Sequence, residues 1–503
     1  MTDHNLLVVS DFHLGEGYDP ETGRYCRLED FFFSSAFARF LRYHEAIREE
    51  ARLGGRAWRL VINGDLFDFM QIVSLPEEGE PLRAVKGVEA HRSLRRSEWR
   101  HGLGTSAAES EWKLRRIARG HQRFFATLGW FVAQGNSLAI IKGNHDVDLH
   151  WPQVQARLVE EVGWAYERLR QERGEGEPAW SDDLAARIQF FPWFYHEPGR
   201  VYVEHGGQYE ALNAFADYMN PVLPNDPQRI ELPLGSLMVR YLFNKIEDVH
   251  PFADNIKPIT RYLGWAFSTD MVGSLDLLVT RGWVFVQAVW RAGCKFLASA
   301  RSARQRKLTE MVPGSLPLPA EVAEEIARVA KRQVDRCWQQ WVGSGVKELL
   351  FFLIGLIAIV CVILAGMTVA AGERMLAVVY LVFGGIAFFV RRGVRRTFGQ
   401  ILAGDYLVEV AYQLEEVLAP DHAVGCIVMG HSHNAGLEKL QDAWYVNTGA
   451  WVPVYSHEGP IDGREELTFL RLSGEAEGAP ELLHWDDAAG EPTRVVLWSD
   501  PRP

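Results

Sequence analysis

Five short blocks of the chain crowd aspartate, asparagine and histidine beside glycine. They are Asp11-Phe12-His13, Gly64-Asp65-Leu66-Phe67-Asp68, Gly143-Asn144-His145-Asp146, His205-Gly206-Gly207 and Gly430-His431-Ser432-His433. Carboxylate and amide oxygens with imidazole nitrogens, and no thiolate among them, suit Mn²⁺, Fe or Zn²⁺. The blocks hold enough donors for two divalent ions with positions left open for water and substrate. A carboxylate shared between two ions sets them about 3.5–4 Å apart, where both can hold one phosphoryl group. Each block alone has a plainer explanation. Asp11 could be a turn or helix cap, Gly64-Asp65 could be turn chemistry, and His431 and His433 could be surface histidines. Five such blocks, each in the same local setting, point instead to one site.

That setting is the end of an apolar run. Leu6–Ser10, Arg59–Asn63, Ser137–Lys142, Arg200–Glu204 and Gly425–Met429 each lead directly into a ligand block. Short apolar, β-branched runs bounded by glycine and polar residues read as buried strands. Helical stretches such as Ser106 to Gln134 would cover the sheet they form. In α/β sheets, ligands gather beyond the carboxyl ends of the strands, where these side chains would be delivered.

The series D-x-H, G-D-x-x-D, G-N-H-D, a later His-Gly and G-H-x-H, in that order, resembles the calcineurin-like metallophosphoesterase superfamily. The resemblance covers the two flanks of the chain and not its middle. It implies an α/β fold, a four-layer αββα sandwich, with a dinuclear centre at the strand ends. Matched position by position, Asp11, His13 and His433 would hold the first metal. Asn144, His205 and His431 would hold the second, with Asp65 bridging. His145 would sit beside the substrate, donating to the phosphate or the leaving oxygen, and Asp146 would orient it; these two are the expected catalytic residues. Asp68 would support the site or be a surface carboxylate. The fourth block departs from the family's usual Gly-His, reading Glu204-His205-Gly206-Gly207. His196, the nearest competitor for that place, lacks a following glycine. Asn447-Thr448-Gly449 fits a supporting turn. The chemistry expected is metal-dependent hydrolysis, with hydroxide generated at the two metals attacking phosphorus and His145 serving the leaving group.

The ligand order has a topological consequence. His205 and His431 belong to one site although a long stretch separates them, so 221–400 must be an insertion between catalytic parts 1–220 and 401–503. Pro221 to about Pro258 reads as loop and short helix near the site mouth. Leu275 to Ala298 is apolar and aromatic but carries Arg281, Arg291 and Lys295, which suits a membrane surface or a core helix better than a span. Leu349 to Ala371 runs 23 residues without a charge, long enough to cross a hydrocarbon core of about 30 Å. After Gly372-Glu373-Arg374, Met375 to Val390 adds 16 uncharged residues, closed by Arg391, Arg392, Arg395 and Arg396. The expectation is a transmembrane hairpin over about 349–390 with both ends, and hence the catalytic part, on the cytoplasmic side. The alternative is a helical hairpin buried in a large soluble domain.

Composition sets the outer limits. With 53 basic and 65 acidic residues the formal net charge is −12, while 48% of residues are hydrophobic and 23% charged. That excludes a disordered chain, and the acidic balance argues against a nucleic-acid-coating role. Arg92, Arg95, Arg96 and Arg100 read as a solvated helix face rather than a nucleic-acid contact. The cysteines Cys26, Cys294, Cys337, Cys361 and Cys426 form no CxxC pair, which speaks against a disulfide framework or thiolate zinc. The opening MTDHNLLVVSDFH shows no secretory signal. The function expected is hydrolysis of a phosphodiester or pyrophosphate at the membrane, such as a lipid-linked or nucleotide-lipid substrate. That role has a functional analogy, incomplete in its residues, to UDP-diacylglucosamine pyrophosphatase type enzymes. The alternatives are a soluble phosphodiester or cyclic-nucleotide phosphodiesterase, a protein phosphatase more distantly, and a catalytically inactive membrane scaffold.

Overall fold

A computed structural model describes residues 4–76, 94, 96–174, 176, 178–210, 212–223, 225–244, 316–334, 406–419, 421–455, 463–474 and 480–495. The apolar stretches at 275–298 and 349–390, Arg92 and Arg95, and Cys294, Cys337 and Cys361 lie outside the described residues. Among the described residues, no helix is long and apolar enough to cross a membrane.

The fold is mixed α/β. Its first sheet runs through β1 (His4–Val9), β2 (Ala57–Asn63), β3 (Ser137–Ile141) and β4 (Ile188–Phe191), all parallel. Its second is centred on β6 (Val201–Glu204), β7 (Cys426–Met429) and β9 (Trp444–Asn447), also parallel. The antiparallel edges of this second sheet are β5 (Phe194–Glu197) and β8 (Gly436–Lys439). On the other side of β1 the first sheet continues antiparallel through β10 (Thr468–Leu472), β11 (Glu481–Asp486) and β12 (Glu491–Arg494). These three strands lead into none of the ligand blocks.

The central strands are apolar without interruption because both of their faces are buried. Alternation along each strand sorts its side chains between two cores. Leu6 and Val8 of β1, Val61 of β2, and Ala139 and Ile141 of β3 meet Val201, Val203, Cys426, Val428 and Val446 of the second sheet. Leu7, Val9, Leu60, Ile62, Leu138 and Ile140 turn the other way. There they pack on helices α1 (Ser34–Ala46), α2 (Ala107–Gly120), α3 (Gln122–Ala133) and α4 (Pro152–Arg173). The outer face of the second sheet, including Tyr202, Ile427 and Met429, packs against α5 (Tyr406–Leu418) and a helix at 320–334.

The stretch 106–134 is helical as expected, in two pieces: Ser106 and Glu109 form a capping box that starts α2, and His121, outside helical geometry, divides it from α3. The segment after Pro221 contains a β-hairpin, Val222–Leu223 with Asp226–Ile230, ahead of the short helix Leu234–Met238.

Candidate metal centre

Every ligand block begins within a few residues of the end of a central strand, and the loops are laced together by backbone hydrogen bonds. Asp11 N donates to Gly64 O, Phe12 N and His13 N both donate to Asp65 O, and Leu14 N donates to Leu66 O. The second sheet is tied in through Gly430 N to His205 O and Trp451 N to Asp11 O, the latter at 3.1 Å. Between its two ligand neighbours, Phe12 is fully buried against Phe31, Phe37, Phe124 and Trp451. That anchor sends Phe12 one way and leaves Asp11 and His13 to point the other.

The backbone at the site is unusual. Among the described residues six non-glycine residues have positive φ, and five of them are Asp11, His13, Asp65, His431 and His433. A left-handed conformation costs a non-glycine residue about 1–3 kcal/mol, and such strain gathers at functional sites.

The glycines of the motifs have a further role beyond turning the chain. A Cβ on Gly64, whose φ is +77°, would lie 2.5 Å from the His205 ring. One on Gly207 would lie 2.7 Å from Asn144 Oδ1, and one on Gly430 2.6 Å from Asp11 Oδ2. Gly143 is equally tight against Asp65. Each glycine makes room for a ligand delivered by a different block.

Six of the seven expected ligands fall into overlapping donor groups, and the seventh, Asn144, stands against His205. Ligand atoms of Asp11, His13 and His433 all lie within 4.8 Å of one another, as do those of Asp65, His205 and His431. Asp65 also groups with His13 and His145, so it stands between the two sets. His433 Nε2 is 3.2 Å from Asp11 Oδ1 and His13 Nε2 is 3.8 Å from Asp65 Oδ2. His205 Nε2 faces Asp65 Oδ2 and Asn144 Oδ1, each at 3.1 Å. Donors about 2.0–2.2 Å from one ion stand within about 4.4 Å of each other, so these spacings are short enough to hold a metal ion. The buried Asn144 Nδ2 has no hydrogen-bond partner among the described residues, which leaves the amide positioned through its oxygen. All seven are almost wholly buried.

The electrostatics agree with a cation site. Burial alone would raise the Asp11, Asp65 and Asp68 carboxyls, but neighbouring histidines hold all three well below the ordinary carboxylate range. Burial would lower His205, yet the Asp65 charge beside it takes it up to about 9. A metal ion bound at such a cluster would displace that proton.

One expected contact is replaced by another. Asp146 does not orient His145: its oxygens accept the backbone N–H of Gly143 and, at 2.8 Å, of Leu66, fixing the loop itself. Burial, followed by the nearby Asp65 charge, pushes its carboxyl up to about 7. The carboxylate that holds His145 is Asp68, whose Oδ2 is 2.6 Å from Nδ1, while its Oδ1 accepts Met70 N and Gln71 N. Asn447 supports the last block, donating from Nδ2 to Gly430 O and Ser432 Oγ at 3.0 Å. His196 is not part of the cluster; its ring neighbours His422. Arg100 is exposed on the helix Arg96–His101. One residue escaped sequence reasoning altogether: Glu210, whose Oε2 is 2.6 Å from His431 Nε2. No motif spacing marks it.

The chain matches no protein-family model and no curated protein.

Proposed function

We propose that the chain is a metal-dependent phosphoester hydrolase of the calcineurin-like metallophosphoesterase type, with an αββα catalytic unit built from 1–220 and 401–503. The observation that supports this best is the convergence of seven buried expected ligands, six of them in overlapping donor groups that meet at His13 and Asp65 and the seventh, Asn144, against His205. Two divalent ions held there, Mn²⁺ first and Fe or Zn²⁺ otherwise, would supply Lewis acidity toward phosphoryl oxygens and lower the pKa of a water to near neutrality.

The protein's own groups do the remaining work. Asp65, fixed by donation from His145 N to its Oδ1 at 2.8 Å, keeps the two donor groups in register. Asp68 takes Nδ1 of His145 and so sets the ring for Nε2 to donate to a phosphoryl oxygen or to the departing oxygen. Phe12 and Trp451 close the first loop behind the ligands and keep water off that side.

The substrate favoured is a phosphodiester or pyrophosphate at a membrane, lipid-linked or nucleotide-lipid in type, handled on the cytoplasmic side. Its support is the uncharged run 349–371 and the arginines after 390, which the insertion places in the same chain as the site. Mn²⁺-stimulated hydrolysis of bis(p-nitrophenyl) phosphate, lost in Asp65→Asn and Asn144→Ala, is the expected result. Full activity in either variant refutes the assignment. Bound metal without turnover of any phosphodiester would favour the scaffold alternative. Release by alkaline carbonate without detergent would favour the soluble one.

A further inference from the structure

Three histidines at the site share one arrangement: one ring nitrogen is engaged by the protein away from the donor groups. In His205 it is Nδ1, 3.0 Å from Asn63 O, and in His145 it is Nδ1, on Asp68. In His431 it is Nε2, on Glu210. Metal-bound histidines characteristically give their second nitrogen to a carboxylate or carbonyl, which fixes the tautomer and raises the basicity of the ligating nitrogen.

Glu210 is built for that task. It lies just past the short turn Gly207–Tyr209 that follows His205, so the loop that delivers one ligand also carries the brace for another. Its backbone carbonyl accepts Asn213 N and Ala214 N. Its Oε2 accepts Asn213 Nδ2 at 2.8 Å as well as meeting His431. The chain Asn213–Glu210–His431 thus runs into the cluster, from a side chain 31% exposed at Glu210 to one 2% exposed at His431.

We propose that Glu210 is the positioning residue of the ion held by Asp65, Asn144, His205 and His431. It commits Nε2 of His431 and leaves Nδ1 as the nitrogen that ligates. The inference rests on the two-metal reading. It predicts an asymmetry that reading lacks: loss of Glu210 weakens one ion and spares the other.

The test is titration of the metal-free full chain with Mn²⁺ by calorimetry, together with the paramagnetic resonance of the loaded protein. Wild type should take up two ions. Glu210→Ala should weaken one by about 10–100-fold, leave the other unchanged, and lose the spin-coupled Mn²⁺ pair signal at concentrations that fill only the tighter site. Glu210→Gln, whose amide oxygen can still accept from Nε2, should recover part of the loss. The metal-free melting temperature of both variants should stay near wild type. Two ions bound by Glu210→Ala as tightly as by wild type overturn this inference alone. Equal loss of both ions with a lowered metal-free melting temperature does the same, since it makes the carboxylate merely structural. A wild-type chain that binds no Mn²⁺ overturns both this inference and the proposed function.

Discussion

Gly143→Ala is the substitution through which the site's construction can be tested most severely. It adds one methyl group to a residue that ligates nothing. That Cβ would lie 2.5 Å from Asp65 N, 2.8 Å from Asp65 Cγ and closer still to Oδ1. Ordinary contact begins near 3.4 Å, so the Asp65 carboxylate or the 143–146 loop must move by about 1 Å. The loop is poorly free to do so, because Asp146 ties Gly143 N to Leu66 N. Overpacking of this kind costs about 1–3 kcal/mol of stability, which a domain of this size can bear. Function is less tolerant: ion ligation holds to within about 0.2 Å, and a misplacement of about 1 Å costs roughly 100-fold in rate. The expected outcome is a folded protein that has lost at least one ion by metal analysis and at least about 100-fold in kcat toward a phosphodiester. Gly199→Ala is the control, since its φ of +73° is strained but nothing lies within 4 Å of the added carbon. It should lose about 1–2 kcal/mol and no metal. Retention of both ions and near-normal turnover by Gly143→Ala would refute the claim that this glycine exists to admit Asp65.

Other outcomes follow from the same geometry. Asp68→Asn keeps the Oδ1 contacts to Met70 N and Gln71 N but removes the charge on His145. Because Asp68 Oδ2 also stands 3.8 Å from Nδ1 of the expected ligand His13, the substitution should lower kcat by about 10–100-fold and loosen the ion that His13 holds; an unchanged kcat would contradict that role. Chelation should lower the melting temperature, since an ion present at a hundred times its Kd contributes about 2.7 kcal/mol. In calorimetric scans Asp65→Asn should lose most of that response. His44, buried in α1 against Trp58 and Phe469, is held by burial down to about 3. The folded state therefore refuses a proton that the unfolded chain accepts below about 6.5. Its contribution is complete above that pH and falls by up to about 1.4 kcal/mol per unit as pH drops toward 3. Urea titrations of His44→Leu should show a flatter slope between pH 4.5 and 6.5, and an unchanged slope would refute this. Glu197, on the edge strand of the second sheet, is 2.7 Å from His4 Nε2 on the first and 2.7 Å from Arg200 Nη1. Burial would raise it, but hydrogen bonds from His4, Tyr195 and Arg200 bring it down to about 2. Glu197→Ala should cost about 1–3 kcal/mol at pH 7 in urea unfolding, with the difference fading as pH falls from about 4.5 toward 2.

What could be read from the sequence was what local chemistry writes into adjacent residues. A β-branched run buried on both faces followed by glycine and a donor is visible as such, and all five junctions stand at strand ends. Pairing across the fold was less legible. The family pattern assigns Asp146 to His145, yet the turn at 143–146 points it back into its own loop and the partner arrives from Asp68. Glu210 carries no pattern at all; only the return of the chain after the turn Gly207–Tyr209 places it on His431. The strands β10 to β12 end in no donor block, so no chemical pattern marks them in the sequence.

The strained backbone and the tight glycines have one physical cause. To set seven side chains around so small a volume, the loops must turn their donors inward from opposite sheets, and right-handed or extended geometry cannot aim Asp11, His13, Asp65, His431 and His433 that way. The same crowding forbids a Cβ wherever one loop passes under another's ligand, as at Gly64, Gly207 and Gly430. Left-handed residues at about 1–3 kcal/mol each and buried carboxylates are both unfavourable, so the loops cannot be held by themselves. They are held by the strands behind them, whose alternating side chains fill the cores on either side of each sheet. It follows that weakening those cores should loosen the site before the fold. A cavity such as Val428→Ala, between the sheets, should lower ion affinity at temperatures where circular dichroism still reports a folded chain. If affinity and fold are instead lost together, the strain is not concentrated in the loops.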